Sequence, residues 1–170
     1  MNSQFWADFD QTWHQRLSID ENARIKRLAA IILAHSGDSW FWLFGLAVLW
    51  FTGDAFWQTW ALRVGATVIV LAATVLVLKF RFRRARPEGT WGNVYRKSDP
   101  HSFPSGHAAR SVLLAVLAAG LGPTWLAVIL IPWAPLVAIA RVAMGLHYPT
   151  DVLAGGALGL VVGLVALLIF

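Results

Sequence analysis

Most apolar residues in this sequence fall in long unbroken runs rather than at alternating spacing. Residues 55–78 contain one charge, Arg63, near the start of the run, from where an arginine can snorkel to the interface. Residues 111–140 carry no charge over 30 positions and are broken only at Leu121-Gly122-Pro123-Thr124. Gly there ends one helix and Pro opens the next. Residues 152–170 are 19 uncharged positions. A helix crosses a bilayer core with about 20 apolar residues. Residues 39–53 form a shorter run of 15 between Asp38 and Asp54. It is read as a span because Trp40, Trp42 and Trp50 mark its ends, and Trp57 and Trp60 open the next. Tryptophans near helix ends form an aromatic belt at headgroup depth. The pattern therefore predicts an all-α integral membrane helical bundle of about five spans: 39–53, 55–82, 106–121, 123–145 and 149–170.

The first 37 residues differ. Phe5, Trp6, Phe9, Trp13 and Leu17 recur at near-helical spacing among polar residues. An amphipathic helix lying on the membrane interface is expected there. Residues 24–35 form a second helix, basic at Arg24, Lys26 and Arg27 and too short to span alone. The domain organisation is then 1–37 as N-terminal interfacial amphipathic helices and 38–170 as the transmembrane domain. No basic leader with a cleavage site is present, so no removable signal peptide is expected. Followed up and down, the spans bring the end of the second and fourth and the start of the first, third and fifth to one face.

Composition agrees. Hydrophobic residues are 58% and charged residues 14% of 170, against about 45–50% and about 25% in soluble domains. These values exclude a disordered chain, a coiled coil and a nucleic-acid-binding tail. The chain has no Cys, which removes disulfides, thiolate zinc sites and a cysteine nucleophile. The net charge of +5 is concentrated: Lys79, Arg81, Arg83, Arg84, Arg86, Arg96, Lys97 and Arg110 are opposed locally only by Glu88 and Asp99. One basic field in an apolar chain points to an anionic ligand or an anionic lipid surface. Nucleic acid is not expected as a partner, because these cations sit between apolar spans.

Three clusters carry chemistry. Lys79 and Arg86 are seven residues apart, two helical turns, and so point to one side at a span end. Such a pair can clamp a phosphate, although basic runs beside spans are also ordinary interfacial anchors. Pro104-Ser105-Gly106-His107 precedes an apolar run. Ser105 is a good N-cap, Gly106 admits a ligand close to backbone, and helix N-terminal N–H groups favour an anion. His107 follows in the first turn, placed to donate a proton. In the third cluster, Arg141 lies near the end of a span, where a charge is costly without a partner. His147 and Asp151 are four apart across the next turn. A carboxylate holding one imidazole nitrogen fixes the tautomer and leaves the other nitrogen free to attack. Alone, the pair could equally be a hydrogen bond that tightens the turn.

Taken together and in this order, Lys79-x6-Arg86-Pro87, Pro104-Ser105-Gly106-His107 and Arg141-x5-His147-x3-Asp151 resemble the type 2 phosphatidic acid phosphatase family. The resemblance covers roughly residues 39–170, and Ala140 stands where the family usually has Ser. It implies a membrane lipid phosphatase cleaving a phosphomonoester or pyrophosphate. His147 would form a phosphohistidine, Asp151 would orient it, and His107 would protonate the departing oxygen. Lys79, Arg86, Ser105, Gly106 and Arg141 would bind the phosphate. No metal or other cofactor is expected. The partners are a lipid phosphate substrate and the bilayer. The substrate candidates are undecaprenyl pyrophosphate, phosphatidylglycerophosphate, phosphatidic acid, phosphorylated lipid A and a prenyl-phosphoribose phosphate. Small size and short loops suggest a bacterial inner membrane, with the site near headgroup depth and, from the basic residues on that face, toward the cytoplasm. The alternatives are a vanadium haloperoxidase-like enzyme and a catalytically inactive lipid-phosphate binding or transport protein.

Lesser expectations concern the remaining polar residues. Arg83, Arg84, Arg96 and Lys97 are read mainly as interfacial anchors. His101 is read as a solvated loop residue near the entrance. His14 and His35 show no partner in sequence. Residues 88–104, with Gly89, Trp91, Gly92 and Tyr95, are a candidate lid.

Overall fold

The computed structural model describes residues 3–20, 23–88 and 99–170. Gly89, Trp91, Gly92, Tyr95, Arg96 and Lys97 of the expected lid and basic loop lie outside these. The described residues form helices α1 (Ser3–Leu17), α2 (Arg24–Ser36), α3 (Ser39–Thr52), α4 (Ala55–Phe82), α5 (Gly106–Leu121), α6 (Thr124–Ala143) and α7 (Pro149–Ile169). No strand occurs among them. The turns that separate α3 from α4 and α5 from α6 fall at Gly53-Asp54 and Gly122-Pro123.

Three helices, α4, α6 and α7, are individually long and apolar enough to cross a membrane. The expected first span is different: α3 passes that test only jointly with α2, across a 55° bend at Gly37-Asp38. The third, α5, has 16 residues and is shorter than a bilayer core requires. It is instead the centre of the bundle, with Leu113, Leu114 and Leu117 fully buried. Packing compensates for length here, since a helix enclosed by other helices need not match the lipid thickness itself.

The contact that matters most for the site is α5 on α7. Gly155 and Gly159 lie one turn apart along α7. A Cβ on Gly155 would stand 2.3 Å from the Ser105 carbonyl oxygen, and one on Gly159 2.0 Å from that of Ala109. Only glycine lets the two backbones approach this closely, in the manner of small-residue interfaces in membranes. The approach brings the N-terminal ends of α5 and α7 together, and the Ser105 N–H donates to the Asp151 carbonyl at 2.9 Å.

The N-terminal helices pack on this bundle. Ala30 and Ala34 of α2 are buried with Ala140, Met144 and Leu146. Ala140, the departure noted in the third motif, thus meets α2 with a small apolar surface. On α1, Phe5, Trp6 and Trp13 are exposed whereas Asp10 is only 2% exposed and faces the bundle. The tryptophans also divide. Trp40 and Trp50 face outward, but Trp60 is buried in the main core and Trp42 bonds the Ser36 carbonyl at 2.8 Å. Those two serve packing, because the bend at Gly37-Asp38 and the α4–α5 contact leave apolar space only a large ring fills. Arg63 lies with its guanidinium 5.5 Å from the Phe170 ring centroid.

Candidate active site

All three motifs reach one end of the bundle, where a cavity of about 310 Å³ opens. His147, His107, Gly106, Lys79, Asp99 and Arg110 line its polar end, and Val68, Leu71, Val75 and Leu76 of α4 line an apolar wall leading away from it. α4 supplies both: its regular rise carries Lys79 one turn beyond Val75 on the same side.

His147 lies in the short connection between α6 and α7 and is 1% exposed. Its Nε2 is 3.2 Å from Arg86 Nη1. Its Nδ1 is 3.7 Å from Asp151 Oδ2 and makes no hydrogen bond among the described residues. Burial first, and then the positive charges of Arg141, Arg86 and Lys79, push the imidazole well below its usual pKa. A neutral imidazole carries the free lone pair that a nucleophile requires. Arg86 is fastened by more than the ring: Nη1 donates to the Leu146 carbonyl at 2.6 Å, Nε to the Asp99 carbonyl at 2.8 Å, and Nη2 to the Asp99 carboxylate at 2.8 Å. The same carboxylate accepts from Lys79. Asp99 therefore holds Lys79 and Arg86 on one anion, the geometry two cations need to share a phosphate oxygen.

Ser105 caps α5, its Oγ accepting from the Ala108 N–H at 3.4 Å. Ser105 is fully buried, and Gly106 and His107 face the cavity. His107 Nε2 lies 2.7 Å from Asp38 Oδ1. Arg141 is 1% exposed and close enough to act electrostatically on His147.

Asp151 is more tightly held than a lone His–Asp pair. Its Oδ2 accepts from the Tyr148 backbone N–H at 2.8 Å, which also caps α7. Its Oδ1 accepts from Arg84 Nη1 at 2.7 Å. Arg84 then reaches Asp10 of α1 at 2.5 Å and Thr150 Oγ1 at 2.7 Å, and its guanidinium covers the Tyr148 ring at 4.3 Å. Asp10 also accepts from the Thr150 N–H at 2.9 Å. Burial works against the Arg84 charge, but Asp10 and Asp151 outweigh it and raise its pKa above the usual value. Arg84 is thus a bridge to the site rather than an interfacial anchor, because the left-handed Arg83 (φ 47°) ends α4 and turns the next side chain inward. His35 meets Asp38 at 3.0 Å, His14 packs on Tyr148, and His101 lines the cavity against Phe80. Asp10, Asp38 and Arg84 were not legible as site residues, since each pairs with a partner more than 60 positions away.

Among the described residues no group of three or more His, Cys, Asp or Glu has the closeness of metal ligands.

Comparison with known proteins agrees with this geometry. The chain is 38% identical over 104 residues to a decaprenylphosphoryl-5-phosphoribose phosphatase of Mycobacterium tuberculosis, covering 60% of this chain and 56% of that protein. It is 33% identical over 104 residues to an undecaprenyl-diphosphatase of Sulfolobus acidocaldarius, covering 57% and 50%. The chain thus spans about half the length of these curated relatives. Its fold superposes on the crystal structure of the transmembrane PAP2-type phosphatidylglycerolphosphate phosphatase from Bacillus subtilis with a TM-score of 0.77. That match has 23% identity and covers 98% of this chain and 85% of the other. The sequence pattern of the PAP2 superfamily matches residues 60–170, which contain the three motifs and every residue of this chain expected to touch phosphate, and the chain belongs to that superfamily.

Proposed function

We propose that this integral membrane protein hydrolyses the phosphomonoester or pyrophosphate of a membrane lipid through a phosphohistidine. The observation that carries the reading is a cavity that joins two chemistries: its polar end holds two imidazoles and a lysine, and its wall along α4 is apolar. A lipid fits that division, with the phosphate at the helix ends and the chain against Val68, Leu71 and Val75. The site then lies near headgroup depth, and the similarity to phosphatases acting on polyprenyl phosphates supports a prenyl-linked or glycerolipid phosphate as substrate.

His147 Nε2 attacks phosphorus while the bond to the leaving oxygen breaks, and that oxygen takes a proton from His107. Asp151, beside Nδ1, keeps the proton on that nitrogen and stabilises the positive charge formed there. Lys79, Arg86 and Arg141 hold the equatorial oxygens, and backbone N–H groups at the start of α5 complete the cradle. Water then attacks the phosphohistidine, losing its proton to His107, and the P–N bond electrons return to His147. Side-chain cations meet the phosphate charge, so the reaction proceeds without a metal. A phosphate-release screen over a panel of lipid phosphates, with and without EDTA, tests this. Release that persists in EDTA and is lost in His147→Ala supports it; no release from any member of the panel defeats it.

A further inference from the structure

The proton donor is held by a residue outside the segment that matches the superfamily. Asp38 stands at the break between α2 and α3, with Oδ1 2.7 Å from His107 Nε2 and Oδ2 3.0 Å from His35 Nδ1. The break itself is clamped. Gly37 is buried, and a Cβ on it would come within 3.2 Å of the His107 ring and 3.1 Å of Val137. The Gly37 carbonyl accepts from Arg110. Trp133 donates to Ser36 Oγ and Trp42 to the Ser36 carbonyl, each at 2.8 Å. Three helices therefore fix where the Asp38 carboxylate points. The side chains of His107 and Asp38 are 15% and 16% exposed, and that of His35 is 49% exposed.

We propose that Asp38 is the positioning residue of His107: it orients the ring and holds its protonated form ready for the leaving oxygen. This rests on the reading of His107 as proton donor given above. With Nε2–H given to Asp38, Nδ1 is the nitrogen left for the substrate. Burial first, and then the charges of Arg141 from α6 and Arg110 from its own helix, disfavour an imidazolium. Asp38 opposes them, and His35 reaches the ring only through it. In the first step the His107 proton passes to the oxygen of the breaking P–O bond. In the second, the attacking water returns a proton to the neutral ring, so the donor is restored with no external acid.

A positioned acid matters in proportion to how badly the leaving group needs a proton. The test uses the full chain in detergent micelles with two substrates read on the same sample: phosphatidic acid, whose leaving oxygen is an alkoxide, and p-nitrophenyl phosphate, whose phenolate departs unassisted. Asp38→Asn is expected to lower turnover of phosphatidic acid about 10–100-fold, part of the 10²–10⁴ that general acid catalysis supplies, and that of p-nitrophenyl phosphate less than about 3-fold. The basic limb of the kcat/KM profile for phosphatidic acid should move to lower pH, because the ring loses its anionic partner. A fall in folded protein cancels in the ratio. If Asp38→Asn gives no active protein, Asp38→Glu is read in the same way, with the same drop in ratio expected as the lengthened carboxylate displaces the ring. Equal losses on both substrates, or an unmoved basic limb, overturn the proposal. A wild-type protein that releases phosphate from neither substrate nor any other lipid of the panel defeats the phosphatase reading itself.

Discussion

Residues 60–170 and residues 3–59 contribute different kinds of group to one site. The longer segment supplies what would touch phosphate: Lys79, Arg86, His107, Arg141 and His147. The shorter one supplies two carboxylates that would touch nothing but protein. Asp10 grips Arg84, which grips Asp151 beside His147, and Asp38 grips His107. Each imidazole is thus backed, directly or through two links, by an N-terminal helix. The difference teaches that reacting groups can sit in compact motifs while the groups that aim them come from wherever the chain folds back.

The comparison breaks most easily at its catalytic end. His147→Ala should reduce phosphate release by more than about 10⁴-fold with the fold intact, because on the proposed mechanism His147 carries the covalent intermediate. Residual activity within a factor of ten of wild type would remove the basis for dividing the molecule in this way. Arg84→Gln comes next. It removes charge-assisted bonds to two carboxylates, each worth about 1.5–3 kcal/mol, and should cost about 10–100-fold in kcat with little change in KM. Arg83→Gln, at the exposed neighbour, should change kcat less than about 2-fold. Equal effects of the two would return Arg84 to an interfacial role. Gly159→Ala sharpens the structural side. Its methyl would meet the Ala109 carbonyl at 2.0 Å, and forcing α5 and α7 apart should destabilise by about 1–3 kcal/mol, read as a lower thermal midpoint in detergent. The smallest effect is on pH. On the proposed mechanism His147 attacks as the neutral ring, and burial with the nearby Arg141, Arg86 and Lys79 lowers its pKa from 6.5, so activity should hold as pH falls through 6.5. It should be lost only below that, as the ring finally protonates. A kcat/KM profile whose acid limb lies at 6.5 or above would contradict this.

Much of the architecture was legible along the chain. The bilayer and the helical class followed from several uncharged runs of span length in so short a chain. The turns at Gly53-Asp54 and Gly122-Pro123 followed from residues that stop and start helices. The pattern did not reveal that α5, whose 16 residues fall short of a bilayer core, is enclosed at the centre of the bundle, since hydropathy does not distinguish lipid from neighbouring helices. A second signal, Gly155, Gly159 and Gly163 at four-residue spacing, was present in the sequence and marks the face of α7 that closes on α5.

Local order along the chain was enough to determine the membrane setting, the helices and the three reactive motifs, because hydrophobicity, capping and residue spacing act over a few turns. Only the tertiary structure decided which distant carboxylates, Asp10 and Asp38, stand behind which imidazole. In the sequence Asp10 looks like an ordinary polar residue of an N-terminal helix, and Asp38 like an ordinary residue at a helix start. They acquire a role because burial makes an unpaired charge costly, and so each is found against the cationic or proton-bearing groups that packing brings within reach.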